Sequence, residues 1–304
     1  MIRGCGNAMS ACADGPCNRS ATCVTGWDAG DRRRRRHAEE SKKPVGLLVA
    51  RRGRPEPAIT WLQEEWMGLR DLFSRKPKPQ PQGYGIPYAA REALFGDMPI
   101  TAWPGPDSGA DLFPWTAFVQ ARGHLAAGDT QAAIRCWLQV AEATGEETLH
   151  TAQAWHFLRA HGHSPPPEKA KQVLGTVLEY GLEGGLDLVA AYTDHNARYY
   201  NHSGRACIWL EGGDGSLNER IDALLAASAE VVRVIGPWDQ ERPAAPPQGA
   251  VRISFITPSG LHFGQGRMDS FARDPMAGPV IYAAFQLMQG LMEKSDGGTP
   301  RPDA

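Results

Sequence analysis

From residue 113 onward, the apolar positions of this 304-residue chain recur at helical spacing. Trp115, Phe118, Ala121 and Leu125 fall on one stripe, and Ala133, Ile134, Trp137 and Val140 on another. Between them "AAGD" predicts the link of a helical hairpin, with Gly128 stopping the first helix and Asp129 capping the second. Beyond Pro167 the apolar period falls to two. "VLGTVLEYG", "LDLVAAYT", "ARYYN" and "RACIWLE" predict short strands joined by turns at "LEGG", "DHN" and "HSG", an antiparallel meander. A helix over 216–236 follows, opened by Ser216 with Glu219 as a capping box and lined by Leu217, Ile221, Leu224, Leu225, Ala229 and Val232. A Pro-rich link leads to the strand "AVRISFI", a second strand after "TPSG", and a last helix near 276–293. The fold class is α+β: a short α-helical unit followed by an antiparallel sheet of about six strands with two helices on one face.

The same pattern sets the boundaries. Residues 1–66 show no sustained period and read as an unstructured leader, with Met67 the expected physiological start and the preceding residues an upstream extension of the reading frame. Residues 67–112, rich in Pro and Gly, read as a linker with one short helix at 88–96. The helical unit is expected over 113–172, the α+β domain over 173–294, and a disordered tail over 295–304.

Ala121, Gly128, Ala133 and Trp137 stand at the spacing of the small residue, inter-helix glycine, central alanine and later aromatic of the tetratricopeptide repeat, and residues 113–175 resemble that family. His124 stands where the repeat prefers Tyr, and Ala117 where it has its first Trp. "FVQARGH" at 118–124 recurs as "FLRAHGH" at 157–163, and "SPPPEKAKQVLG" is then expected to begin the partner helix. The resemblance implies a helical groove that holds a peptide or packs on a neighbouring domain. The order of the later elements resembles, in outline alone, the profilin-like and roadblock-like sensor or scaffold folds.

Charge sharpens the division. The leader holds 12 Lys and Arg against 8 Asp and Glu; residues 67–304 hold 20 against 26. An acidic body argues against binding nucleic acid, while the run Arg32 to Arg36 leaves that question open for the leader. No apolar run reaches the length of a membrane span, and a cytoplasmic location is expected. Four of the six cysteines (Cys5, Cys12, Cys17 and Cys23) lie in the leader without a C-x-x-C pair, so no zinc site is expected there. Cys136 and Cys207 in the body fit a reducing compartment.

"TPSGLHFGQG" at 257–266 carries three glycines after a strand and a histidine among them. It has neither the lysine of a Walker loop nor the third glycine of a dinucleotide loop, where Asp269 stands instead. Thr257-Pro258-Ser259-Gly260 reads as a hairpin turn. His262 points away from the face of Leu261 and Phe263, as a ligand contact or as a solvent-facing or hydrogen-bonded histidine. Gly264 implies a bulge or the close approach of another backbone. A triad of Ser259, His262 and Asp194 lacks the G-x-S-x-G elbow. His150, His156, His161 and His163 cluster without a carboxylate or cysteine to complete a metal site, and His156 and His163 stand two helical turns apart. Arg122, His124, Arg159, His161 and His163 form either a contact rim for an acidic peptide or a solvated surface.

The expected function is a non-catalytic adaptor or scaffold acting on a protein partner, without cofactor or metal. The candidate binding residues are Arg122, His124, Arg159, His163, His262 and Gly264. A small-ligand sensor using the sheet face near His262 is the alternative, and a hydrolytic enzyme is the third reading.

Overall fold

Helix ends are set by the residues the sequence singles out. In a computed structural model that describes residues 90–105, 111–210 and 213–297, α1 (Trp115–Ala126) closes on Gly128, whose φ of +80° only glycine adopts freely. Asp129 then accepts a hydrogen bond from Ala132 N and caps α2 (Thr130–Glu142). The expectations for the leader, including its four cysteines, the arginine run and the start at Met67, lie outside the described residues.

A third helix, α3 (Thr148–Ala160), ends as α1 does. Gly162 has φ +77°, and His163 N donates to Leu158 O as Asp129 N donates to His124 O. The equivalent glycines are thus Gly128 and Gly162, 34 residues apart, whereas the sequence match paired segments 39 residues apart. The expected partner helix is reduced to one turn, α4 (Pro167–Ala170). Four residues further on, Leu174 N already donates to Ile256 O, so the sheet captures the chain before a helix can extend. The short helix expected at 88–96 ends at Arg91, and Gly96 turns at φ +60° where an added Cβ would lie 2.7 Å from Ala152 Cβ.

Strands β1 (Gly175–Leu182), β2 (Gly185–Tyr192), β3 (Ala197–Tyr200) and β4 (Ala206–Trp209) form the meander. After α5 (Asn218–Val234) come β5 (Ala250–Thr257), β6 (Gly260–Arg267), the single turn α6 (Met268–Phe271) and α7 (Ala277–Gly297). The sheet is antiparallel throughout, in the order β4-β3-β2-β1-β5-β6. The expected capping box does not form. Ser216 N is held by Asp214 Oδ1, and α5 starts after Leu217 without a side-chain cap. On its inner face Ser228 is buried between Leu224 and Val232; its hydroxyl accepts from Thr176 and donates to Leu224 O.

Helices cover both faces of the sheet, where the sequence suggested one. Helices α5 and α7 pack together across the face of Thr176, Val189 and Ile253. On the other face, Val177, Leu188, Tyr192 and Ile256 share one core with Phe118, Trp137 and Phe157 of the helical unit and with Leu94. Every residue of β2 and of β5 is therefore buried, as continuous apolar runs require when neither face meets water.

Three charged residues sit inside this double cover. Glu179 of β1 is fully buried and stands opposite Arg252 of β5, 3.5 Å away, while Arg91 Nε donates to it at 2.5 Å. Removing a single member of such a group leaves buried charge uncompensated. Glu179→Ala is expected to cost about 3–5 kcal/mol in urea unfolding, whereas replacing all three residues by apolar ones of similar volume should recover most of that loss. An intact melting profile for Glu179→Ala would show that the carboxylate is dispensable.

Candidate functional site

The structure scatters the expected rim and gathers only part of it. Arg122 is exposed on α1 and its guanidinium donates to Pro104 O, 3.4 Å away. His124 is half-buried in the last turn of the same helix. His163 lies beyond the end of α3, not on it, with its ring stacked on Trp155 at 6.4 Å. Arg159 reaches the hairpin that carries His262: its guanidinium donates to Pro258 O at 2.7 Å, and burial lowers its pKa to about 10, which leaves it charged at neutral pH. The sequence thus names two residues, Arg159 and His262, that meet at one turn.

That turn is the two-residue hairpin the sequence predicts, with Thr257 paired to Gly260. The register runs unbroken from there to Ala250 and Arg267, so Gly264 marks no bulge. Nor does another backbone approach it. Phe271 of α6 lies flat over Gly264 and Gly266, and a Cβ on Gly264 would stand 2.9 Å from the Phe271 ring. The close approach is real, but a side chain makes it.

His262 is the hydrogen-bonded histidine and not the solvent-facing one, for it is wholly buried on the face covered by α5 and α7. Its Nε2 lies 3.1 Å from Ser259 Oγ, which is itself 2.9 Å from Thr257 Oγ1, while Nδ1 has no hydrogen-bond partner. Asp194 does not complete a triad, because its oxygens accept from Thr148 N and Asn196 N. Burial, aided by the Lys171 ammonium, holds the His262 pKa below the usual histidine value. Without a carboxylate to orient the ring or a path to it, the pair ties the hairpin together and offers no activated nucleophile.

A different constellation lies at the opposite edge. Asp187, buried in β2, accepts from His202 N at 2.7 Å, His202 Nδ1 at 2.9 Å and the Tyr199 hydroxyl at 3.2 Å. The Asp187 bond raises the His202 pKa; burial and Asp187 together push the Tyr199 phenol far up. Beside them a small cleft of about 70 Å³ opens between the β3–β4 turn and α7, lined by Tyr199, Asn201, Arg205, Cys207, Met292 and Ser295. Sequence reasoning passed over this set. The signal was Asp187 itself, a carboxylate inside "LDLVAAYT", where strand alternation gives it no solvent.

His150 and His156 also sit in partly apolar surroundings, and burial lowers both pKa values. His150 packs edge-on against Trp115 at 4.6 Å, while His161 lies 4.8 Å from Trp137. Among the described residues no group of three or more His, Cys, Asp and Glu is placed to hold a metal ion, and no helix is long and apolar enough to cross a membrane. No family model, curated protein or solved structure matches the chain.

Two outcomes follow from this geometry. His150, His156 and His262 have lowered folded-state pKa values, so their contribution is complete above the unfolded value of about 6.5 and is lost as pH falls below it. The raised pKa of His202 acts oppositely: its contribution is complete below about 6.5 and is lost as pH rises through the folded value. Urea unfolding between pH 5.5 and 8 should show stability still rising with pH at about 6.5, where three lowered histidines oppose one raised one, with the loss contributed by His202 confined to higher pH. His262→Leu should make the acid limb shallower by up to about 1.4 kcal/mol per pH unit; an unchanged slope would mean that His262 titrates normally. For the glycine, Gly264→Ala should cost about 1–3 kcal/mol by overpacking against Phe271 and become neutral in a Phe271→Ala background. Equal penalties in both backgrounds would rule out the Phe271 contact as the cause.

Proposed function

We propose that this protein acts through protein–protein contact, as a cytoplasmic adaptor or scaffold, and neither as a catalyst nor with a cofactor. The observation that carries this reading is the apolar surface at the start of the helical unit. Leu112 and Phe113 stand 70% and 45% exposed just before α1, beside the half-buried Trp103 and Trp115, whose rings are 5.1 Å apart. Clustered aromatic and aliphatic side chains at a surface are the usual anchors of a protein partner. The 34-residue spacing of Gly128 and Gly162 supports the tetratricopeptide resemblance. The inner face of the helices is spent on the sheet, so the contact falls to their outer rim, with Arg122 and His124 of α1 at hand. The net acidity of residues 67–304 favours a protein over a nucleic acid as the partner.

A second reading, a small-ligand sensor, rests on the small cleft beside Cys207 and Arg205 in place of His262, which is wholly buried. The two readings separate in one experiment. A Leu112→Asp, Phe113→Asp double variant should keep the melting temperature and lose at least tenfold in affinity for a partner recovered with the native chain. Equal recovery by variant and native chain would overturn the first reading. A rise in melting temperature with a small molecule, abolished by Arg205→Ala, would establish the second.

A further inference from the structure

Strand β6 is the long edge of the sheet, and only part of that edge is closed. Trp238 N donates to Leu261 O at 2.6 Å, so the Leu261 carbonyl points away from β5. In an antiparallel ladder the outward positions alternate, which turns the backbone groups of Phe263 and Gln265 outward as well. Among the described residues none outside the β5 ladder bonds to them. An unpaired edge of this kind is a template for another strand.

We propose that β6 pairs edge to edge with β6 of a second copy of this chain, antiparallel about Gln265. Two features favour a second copy. Antiparallel pairing of a strand with itself about a two-fold axis is self-complementary in its hydrogen bonds. The side chains also match. A register centred on Gln265 sets Phe263 opposite Arg267 of the partner subunit, on one face of the sheet. Phe263 is in T-shaped contact with Trp238 at 5.0 Å, and Asp239 and Glu241 lie exposed on the same segment. Arg267 has its side chain 78% exposed, and among the described residues it is held only by a 3.4 Å contact to Asp269. The guanidinium therefore comes to an aromatic pair whose inner side already carries the Arg252 guanidinium, 5.5 Å from the Phe263 ring, and whose segment bears two exposed acidic residues; the symmetry makes the contact twice. The register is fixed by what is already occupied, for centring on Gly264 would drive Arg267 onto Leu261, where Trp238 sits.

The inference stands apart from the adaptor reading, since it names neither the partner nor the surface of α1. Its test uses the full chain with Cys5, Cys12, Cys17 and Cys23 replaced by Ser. Light scattering during size exclusion should give twice the mass of one chain. Gln265→Cys should form a disulfide-linked dimer in high yield under mild oxidation, because position 265 faces its own copy at a Cα distance of about 5.5 Å. Phe263→Cys alone should not link, whereas Phe263→Cys mixed with Arg267→Cys should. Arg267→Glu should raise the dimer dissociation constant at least tenfold. A monomer at all concentrations, or a dimer in which Gln265→Cys fails to link, overturns the proposal; the second outcome would place the contact on another surface.

Discussion

A carboxylate without solvent, in the middle of a sheet closed on both faces, is the constraint around which the rest is arranged. Glu179 cannot stay charged there unless its charge is matched, and the match comes from two directions. Arg252 reaches it from the adjacent strand, and Arg91 from a segment that belongs to neither sheet nor helical unit. Both guanidiniums also donate to Pro243 O, and Arg252 to Ala244 O and Gln265 as well. Arg242 extends the network to Glu92 and Asp97 and lies over the Phe95 ring. Two stretches, 90–97 and 236–249, are thereby fixed across one face of the sheet by charge as well as by the burial of Leu94 and Phe95.

Those stretches decide which surfaces remain. By lying over β5 and β6 they bring Trp238 to the beginning of the β6 edge, where it closes Leu261 and leaves the following residues open. At one end of the helical layer, Arg159 fastens the β5–β6 turn to α3, while Tyr192 in the interior donates to Leu94 O. The helices and the sheet are thus held at several separated points. Among the described residues this leaves uncovered the outer rim of α1, the cleft beside β4 and part of the β6 edge.

Much of the fold was legible because its signals are local. Gly128 followed by Asp129, the turn at 257–260 and the alternation in the strands each act within a few residues, and each is where the pattern placed it. The second cover of the sheet was harder to read, since it depends on which distant segment lands on an apolar face; the uninterrupted burial of β2 and β5 is its trace in the sequence. The candidate site was the least legible part. His262 looked available because strand alternation fixes the face a side chain points to and says nothing of what lies on that face. Gly264 looked like a backbone feature because Phe271, the group that needs the space, follows only after the strand has ended. Glu179, Asp187 and Arg252 were passed over as strand residues, although a charge inside an apolar run is the sign of a buried pair.

The two edges of the sheet are unequal: β4 has four residues and β6 has eight. Beyond Trp209 the chain turns away from the sheet, with the Trp209 ring resting on Gly213 and under the Lys294 ammonium. A sheet with one long and one short edge accepts neighbours on one side alone, and a contact that closes about a two-fold axis leaves no second long edge for the next molecule. In a dimer paired through β6, the four-residue edge of β4 would be the edge left for a further strand, so unequal edges of this kind would disfavour growth into fibres.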